Sequence, residues 1–225
     1  EVKDALLARL PSVLAISEAV GSSEAPVQAV AVGQRTGRPS PSLRFAARPG
    51  ATMVLDEQLR PVVPGSGQVG RLATTGHVPL AYYKDPERSA ATFVEIDGRR
   101  WSIPGDMATV EADGTIRLLG RGSLCINTGG EKVYPEEVEA ALKSHPAVAD
   151  AVVVGRPSPR WGEEVVALVS ARPGARPVPL AELVGFCRGQ LAGYKLPKEV
   201  AWVDHIPRSP AGKADYDWAR RQVSA

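Results

Sequence analysis

Two loops of this chain carry residues that could handle a phosphate or a carboxylate. The first loop is rich in glycine and runs into a predicted helix, NTGGEKVYPEEVE at 127–139. Gly129 and Gly130 lack a Cβ, so the backbone there can approach a ligand closely. The second loop, PRSPAGKADY at 207–216, offers one cation, Lys213, between residues that favour turns. An ammonium on such a loop can reach a phosphate and offset charge that develops during a reaction.

Three shorter blocks supply oxygen donors and one further cation. GSSE at 21–24 offers two hydroxyls and a carboxylate, which are donors that suit Mg²⁺ and phosphate. The block IPGD ends a β-like run at Asp106, and a carboxylate at a strand end can accept hydrogen bonds from ribose hydroxyls. Arg121 follows in the block GRGS, after a strong hairpin signal at 113–114. We therefore expect Asp106 and Arg121 to lie together at the mouth of one binding site.

Each block also has an ordinary structural explanation when it is taken alone. The serines of GSSE could cap a helix or a turn, and Asp106 could cap its own backbone. Lys213 could be a solvated surface lysine, and the glycine loop a plain turn before a helix. Arg121 and Asp106 could form a simple surface ion pair. Neither GEK at 130–132 nor GKA at 212–214 completes a Walker A motif, so these alternatives stay open for single blocks.

Composition narrows the class of protein. The 225 residues are 44% hydrophobic, which is enough for a core. The charges are mixed and the net charge is +2, so the chain lacks the basic character typical of nucleic-acid binding. Cys125 and Cys187 fall in unrelated patterns, so we expect no disulfide and favour a reducing, cytoplasmic location. No apolar run approaches ~18 residues, so no transmembrane segment is expected, while peripheral membrane contact and oligomeric state stay open. The chain begins with Glu1 rather than methionine, so we expect a fragment or a processed product.

Hydrophobic and turn patterns predict a mixed α/β chain in two parts. The first part is expected to be mostly β, with helices at 2–10 and 85–93 and strand-like segments at 27–33, 51–56, 68–75 and 106–119. From about Gly120 an α+β unit is expected, with helices at 135–144, 179–192 and from Asp215, and strands at 150–155, 163–171 and 199–203. The helix at 179–192 is expected to end with Gly193 at its C′ position.

The order of the blocks is more specific than any one of them. GSSE, GQVGRL…YYKDPE, IPGD, GRGS, NTGGEKVYPEEVE and PRSPAGK follow one another in a run that resembles the C-terminal portion of adenylate-forming, AMP-binding enzymes. Among these the chain is most similar to the acyl-CoA synthetases, from about residue 19 to 216. The resemblance implies that residues 1–121 are the mostly β end of a large AMP-binding domain, a distorted barrel or sheet. It implies that residues 122–225 are a small, mobile α+β lid domain.

The resemblance also implies a two-step reaction. A carboxylic acid, by family frequency a fatty acid, attacks the α-phosphate of ATP and forms an acyl-adenylate and pyrophosphate. The thiol of coenzyme A then displaces AMP and forms the acyl-CoA. The implied partners are therefore ATP, Mg²⁺, coenzyme A and a small-molecule carboxylic acid.

Roles in the first step carry over onto matching positions. In the family, the position of Glu24 helps hold Mg²⁺, and that of Asp106 binds the ribose together with that of Arg121. Lys213 matches the lysine that bridges carboxylate and phosphate. The nucleotide would be lined by three small residues, Gly21, Ser22 and Ser23.

Roles in the second step fall on the glycine loop. The residues that match the loop beside the pantetheine channel are Gly129, Gly130, Glu131 and Lys132. Ser123 stands at the hinge, where the family usually has aspartate or lysine. Val20 stands where an aromatic residue usually stacks on adenine, and Arg71 stands where glutamate is usual. The family's Ser/Thr/Gly-rich phosphate loop and acyl pocket lie upstream of these blocks, so we expect the chain alone not to complete adenylation.

Two other functions remain open at this point. The first is an acyl-AMP ligase or adenylation domain that hands its acyl group to a carrier protein. The second is a non-catalytic binding module that keeps the lid fold as a surface for a partner.

Overall fold

The structure is a computed structural model that describes residues 6, 8–10, 15–34 and 44–224. The chain divides into two compact units, Glu1–Leu119 and Gly120–Ala225. The mixed α/β class predicted from the sequence is confirmed, since both units are rich in strands and both carry helix. The assignment of residues 1–121 and 122–225 to a large domain and a lid stays a prediction. No helix in the described part of the chain is both long and apolar enough to span a membrane.

The first unit is built on one sheet. Its strands are β1 (Ala15–Ser22), β2 (Ala25–Gln34), β3 (Arg44–Ala47), β4 (Thr52–Leu55), β5 (Gly70–Thr75), β6 (Phe93–Ile96), β7 (Arg99–Ser102), β8 (Asp106–Val110) and β9 (Ile116–Arg121). The order is β1-β2-β3-β9-β8-β5-β7-β6, with β4 paired to β5, and the last residues of β9 belong to the second unit. Among the described residues the sheet is an open path rather than a closed barrel.

Most of the expected β segments are present, and four strands are additional. β2, β4, β5, β8 and β9 confirm the predicted segments, whereas β1, β3, β6 and β7 are strands that the sequence patterns do not predict. β1 reads AISEAVGS, with few β-branched or aromatic residues, and it is a strand because it pairs with β2 along its length. A helix is also expected at 2–10. Residues 6, 8 and 9 are helical, Leu10 is not, and residues 2–5 and 7 lie outside the described residues.

The helix between β5 and β6 follows its local signals. Helix α1 (Pro86–Thr92) has proline in its first turn, and the side chain of Asp85 accepts a hydrogen bond from the Arg88 N–H at 3.0 Å. These are the cap and first-turn residues that the sequence predicts, because both act on backbone groups within a few positions.

The hairpin between β8 and β9 is confirmed. Of the two residues that carry the hairpin signal, only Gly114 has a positive φ, at +80°. Asp113 instead accepts hydrogen bonds from the Thr115 N–H at 2.9 Å and the Thr115 hydroxyl at 2.6 Å. The Glu111 N–H donates to the Thr115 carbonyl at 2.8 Å, which closes a longer loop stabilised by the aspartate side chain.

The second unit places helices on both faces of a small sheet. Its strands are β10 (Ile126–Thr128), β11 (Glu131–Val133), β12 (Val148–Ser158), β13 (Gly162–Ala171) and β14 (Glu199–Trp202). Its helices are α2 (Pro135–Lys143), α3 (Leu180–Cys187) and α4 (Tyr216–Val223). The order is β11-β10-β13-β12, and β14 runs parallel to β13. Every helix and strand predicted in this region is present, with different bounds.

Both faces of the β12–β13 hairpin are buried, which explains its long run of valines. Val153 lies in a core with residues of α2 and α3, such as Val138 and Leu183. Val152 and Val154 lie in a second core with Ala219 of α4. A strand buried on both faces reads as a continuous apolar run, so period-two alternation is lost.

Helix α3 is shorter than predicted. It ends at Cys187 rather than near 192, and Gly193 begins a short 3₁₀ turn instead of capping the helix. The N–H groups of Gln190 and Leu191 both bond to the Cys187 carbonyl, so the chain turns where Gly189 weakens the helix. Leu191 is still buried, so its helical spacing in the sequence gave the wrong end point.

Candidate functional site

The GSSE block forms the turn of the β1–β2 hairpin. Ser22 pairs with Ala25, so Ser23 and Glu24 are the two turn residues. The Ser22 hydroxyl accepts a hydrogen bond from the Ala25 N–H at 3.2 Å. This contact matches the turn-capping alternative for the serines, and their contact with a nucleotide stays a prediction.

Gly21 is required by the backbone around it. The β1–β2 register shifts between Val20 and Ser22, which makes Gly21 the irregular position of the strand. A Cβ at position 21 would overlap the carbonyl oxygen of Pro26. The hairpin therefore accepts only glycine here, whatever further role the residue has.

Glu24 is buried and held by two residues from a distant segment. Its side chain accepts a hydrogen bond from the Tyr82 hydroxyl, and the Arg88 guanidinium lies 3.7 Å from its Oε1. Burial would raise the pKa of Glu24, but the Tyr82 hydrogen bond and the neighbouring Ser22 and Arg88 outweigh it, so the pKa is lowered. Arg88 also lies 4.0 Å over the Tyr82 ring. Glu24 is thus an ionised carboxylate in a defined position.

Asp106 and Arg121 both lie at strand ends, but Asp106 begins a strand, whereas the sequence pattern predicts that it ends one. Asp106 is the buried first residue of β8 and follows Gly105, whose φ is +99°. Arg121 is the exposed last residue of β9, and its N–H donates to Glu136 at 3.3 Å. The two residues belong to different units, and the mouth that they were expected to share stays a prediction.

The glycine loop is a tight hairpin turn, which we call the glycine turn (Gly129–Gly130). Its φ values are +60° and +86°, as a two-residue type I′ turn requires, and it joins β10 to β11. The Gly129 N–H donates to the Trp161 carbonyl at 2.8 Å. The next two residues, Glu131 and Lys132, are exposed on β11. The backbone is thus presented at the surface by a tight, hydrogen-bonded turn.

The hinge candidate lies in a short 3₁₀ turn. Ser123 is the middle residue of Gly122–Leu124 and is exposed. No side-chain hydrogen bond caps this turn. The role of Ser123 as a hinge stays a prediction.

The segment around Lys213 is a closed turn, which we call the lysine loop (residues 208–214). Arg208 pairs with Ala214, and the Ser209 N–H donates to the Lys213 carbonyl at 2.8 Å. Gly212 has a φ of +77°, and its N–H donates a hydrogen bond to the Ser209 carbonyl at 2.8 Å. The Lys213 side chain is exposed. The loop is therefore a turn, as its residues indicate, and its backbone is hydrogen-bonded to itself.

Sequence reasoning missed two residues that hold the lysine loop. Nε and Nη2 of Arg208 donate to Asp150 at 2.8 and 2.6 Å, and Nη1 donates to the Gly212 carbonyl at 2.7 Å. Burial would raise the pKa of Asp150, but the hydrogen bonds from Arg208 lower it. Nothing in the sequence pairs these two residues, which are 58 positions apart.

A third missed residue is Glu139, only 5% exposed on α2. Its Oε1 accepts hydrogen bonds from the Val153 N–H and the Tyr216 hydroxyl, both at 3.0 Å. Burial raises the pKa of Glu139 to about 7, against the smaller effects of Val153, Lys143 and Tyr216. The sequence did contain a signal that Glu139 is buried. Glu139 follows Val138 and lies three positions before Leu142, so it falls on the apolar face of the helix.

The lysine loop and the glycine turn attach to opposite ends of the β12–β13 hairpin. The lysine loop is held at Asp150, near the start of β12, while the glycine turn bonds to Trp161 in the turn after Ser158. At ~3.3 Å per residue, the strand between these points is roughly 26 Å long. The two loops therefore lie at separate surfaces of the second unit.

Comparison with known proteins shows similarity to one family along the chain. Residues 137–213 match the family model of the AMP-binding enzyme C-terminal domain. A medium/long-chain-fatty-acid–CoA/3-oxocholest-4-en-26-oate–CoA ligase of Mycobacterium tuberculosis is 52% identical over 100% of this chain and 40% of its own length. A 3-oxocholest-4-en-26-oate–CoA ligase of Rhodococcus rhodochrous is 51% identical over 99% of this chain and 40% of its own length.

The similarity extends to three-dimensional structure. The amide bond synthetase McbA of Marinactinospora thermotolerans has a TM-score of 0.80 and 29% identity, over 92% of this chain and 42% of McbA. The chain spans about 40% of the length of the curated relatives that it matches. It belongs to the adenylate-forming, AMP-binding enzymes and corresponds to the C-terminal part of their acyl-CoA ligases.

Proposed function

We propose that the full-length protein carrying this chain activates a carboxylic acid with ATP and transfers the acyl group to coenzyme A. The observation that carries this proposal is the 52% identity to a CoA ligase along the whole chain. The substrate is a fatty acid or a carboxylate on a steroid side chain, the two classes that occur in the names of the relatives. This chain supplies part of the nucleotide site and the loops that act in each step.

In the first step, Lys213 is the cation that serves the reacting groups. Charge develops at the α-phosphate as the acid attacks, and a placed ammonium lowers the barrier by offsetting it. Asp106 and Arg121 bind the ribose, and Gly21, Ser22 and Ser23 line the nucleotide. The hydrogen bonds that hold the backbone of the lysine loop support this role, because an electrostatic contribution to catalysis depends on the charge being in position before the reaction.

Glu24 has the properties of a residue that helps to hold Mg²⁺. Its lowered pKa keeps it ionised, and Mg²⁺ commonly binds one or two carboxylates together with phosphate oxygens. No cluster of three or more His, Cys, Asp or Glu residues that could hold a metal occurs within residues 15–34 and 44–224. The donor set thus fits an ion that arrives with ATP, and such an ion would withdraw charge from the phosphates.

In the second step, the glycine turn replaces the lysine loop at the site. The two loops attach roughly 26 Å apart on the second unit, too far for both to reach one bond between substrate atoms. We therefore assign the second unit as a lid that rotates near Ser123 between the steps. The bare backbone at Gly129 and Gly130 leaves room for the thiol arm of coenzyme A, with Glu131 and Lys132 beside it.

The test is the activity of the purified full-length protein with ATP, Mg²⁺, coenzyme A and a panel of acids. The panel contains medium- and long-chain fatty acids, steroid side-chain acids and aromatic acids. Pyrophosphate release and acyl-CoA formation are measured separately. We expect both products with fatty or steroid acids, and absence of both across the panel refutes the proposal.

Replacing coenzyme A with a phosphopantetheine-bearing carrier protein separates the related function. Pyrophosphate release with acyl transfer only to the carrier protein would identify an acyl-AMP ligase or adenylation enzyme. Binding of ATP without release of pyrophosphate would instead favour a non-catalytic module. Either outcome contradicts the CoA ligase assignment.

A further inference from the structure

The lysine loop is fastened to the edge strand of the second unit by side chains with no role in the proposed chemistry. β12 is at one end of the strand order, so its outer backbone groups have no neighbouring strand among the described elements. Asp150 of this strand satisfies the Ala151 N–H at 2.9 Å and also accepts two hydrogen bonds from Arg208. The same carboxylate thus joins the strand edge to the loop.

Arg208 is the link between this edge and the residue next to Lys213. Its guanidinium uses two nitrogens on Asp150 and the third on the Gly212 carbonyl at 2.7 Å. A planar guanidinium can satisfy all three directions at once, whereas an ammonium cannot reproduce this fork. Because Gly212 immediately precedes Lys213, this contact fixes the peptide from which the catalytic candidate projects.

A second attachment lies on the other side of the loop. Asp215 begins α4 by accepting the Trp218 N–H at 2.8 Å, and Tyr216 donates to the buried Glu139. This attachment holds the start of α4, while the chain between Ser209 and Lys213 is held to the unit through Arg208. The two attachments therefore restrain different parts of the segment.

We propose that Asp150 and Arg208 are positioning residues for Lys213, and that their bidentate pair sets the geometry of the first half-reaction. This inference rests on the proposed function. Neither residue touches a substrate in the mechanism above, and both act through the Gly212 carbonyl. Loss of the pair leaves Lys213 on a turn that is closed by its own backbone but no longer fastened to the sheet.

The expected effect is confined to one step of the reaction. A displacement of a reacting group by about 1 Å can cost on the order of 10²-fold in rate. We therefore expect Arg208→Lys and Asp150→Asn to lower the rate of acyl-adenylate formation by about 10- to 100-fold. Thioester formation from supplied acyl-adenylate and coenzyme A should stay within about 3-fold, because it does not use Lys213.

The experiment measures both half-reactions in the full-length protein. Acyl-adenylate formation is followed by ATP–pyrophosphate exchange with a fatty acid, and the second step by acyl-CoA release from synthetic acyl-adenylate. The matched controls are Arg220→Lys and Asp217→Asn, which alter an exposed arginine–aspartate pair at 2.9 Å on α4. Both controls should retain both half-reactions.

A double variant separates positioning from a general structural effect. If Arg208 acts through Lys213, then Arg208→Lys should cause no additional loss of adenylation in a Lys213→Ala background. Multiplied losses in the double variant, or equal losses in both half-reactions, would overturn the proposal. Arg208→Lys keeps the charge, so it remains informative if Asp150→Asn fails to fold.

The outcomes also separate this inference from the proposed function. A wild-type protein that makes no acyl-CoA refutes the function itself. Lys213→Ala without a selective loss of adenylation refutes the role of the lysine. A selective loss for Lys213→Ala together with normal adenylation by Arg208→Lys and Asp150→Asn refutes only the positioning pair.

Discussion

Replacing Glu139 with glutamine should change how the stability of the second unit depends on pH. Glu139 is 5% exposed and bonds to the Val153 N–H and the Tyr216 hydroxyl. Other charges also act on it, namely Lys143 and Glu136 of α2 and Arg208 of the lysine loop. Glutamine has nearly the same shape and keeps an oxygen that can accept both hydrogen bonds, but it does not titrate.

The direction of the effect follows from proton binding in the two states. The pKa of Glu139 is raised from 4.5 to about 7 in the folded protein, with burial as the largest cause. Between these values the folded state holds a proton that the unfolded state has released. The free energy of unfolding therefore falls as pH rises through this interval.

The magnitude follows from the width of the same interval. At 1.36 kcal/mol for each pH unit, the interval from 4.5 to about 7 corresponds to about 3 kcal/mol. This loss in the free energy of unfolding is complete above pH 7, where Glu139 is ionised in both the folded and the unfolded state. Relative to wild type, Glu139→Gln should gain up to about 3 kcal/mol between pH 4.5 and 8.

Urea unfolding followed by tryptophan fluorescence measures this difference. Trp101→Phe, introduced in both proteins, removes the tryptophan of the first unit and leaves Trp161, Trp202 and Trp218 as reporters of the second. Curves are recorded from pH 5 to 8. A difference in the free energy of unfolding between wild type and Glu139→Gln that does not vary with pH would reflect only the replacement of the carboxylate by an amide. It would refute the titration of Glu139 in this pH range.

Four further predictions test individual features. Tyr216→Phe removes a hydrogen bond that lowers the pKa of Glu139, so the pH-dependent loss of stability should extend to higher pH in the same urea assay. Gly130→Ala places a side chain at a φ of +86° with open space around it, so strain alone should destabilise the second unit by about 1–2 kcal/mol in urea. Asp215→Ala removes the cap of α4 and should cost about 1 kcal/mol, measured in the same way. Lys213→Ala should slow ATP–pyrophosphate exchange by the full-length protein far more than thioester formation from supplied acyl-adenylate, and equal losses would contradict its role.

Local signals in the sequence predicted several elements correctly. The cap at Asp85, the start of α2 at Pro135 and the start of the last helix near Asp215 depend on hydrogen bonds or backbone preferences within a few residues. The end of α3 was wrong because Leu191 is buried from a turn, and spacing alone cannot distinguish a turn from another helical residue. The order of the blocks predicted the family, which the comparisons confirm.

Distant contacts in the candidate site could not be predicted. The sequence indicated Glu24 as a carboxylate donor, but its hydrogen-bond partner Tyr82 is 58 positions away. Asp150 and Arg208 are also 58 positions apart, and each is ordinary in its own segment. The carboxylates were visible in the sequence, but the hydroxyl or guanidinium that lowers a carboxylate pKa, and the burial that raises one, were not.

The sequence by itself determined the family, the helix caps and the turns that need glycine, because these depend on residue order and on backbone preferences over short distances. Only the tertiary structure decided which buried carboxylates have partners and how the lysine loop is held. Those contacts join segments that are far apart in the chain, and their energies depend on burial and on donor geometry. The sheet brings Asp150 to Arg208, and this pair holds the lysine loop. Packing buries Glu139 of α2, and burial raises its pKa even though Tyr216 donates a hydrogen bond to it.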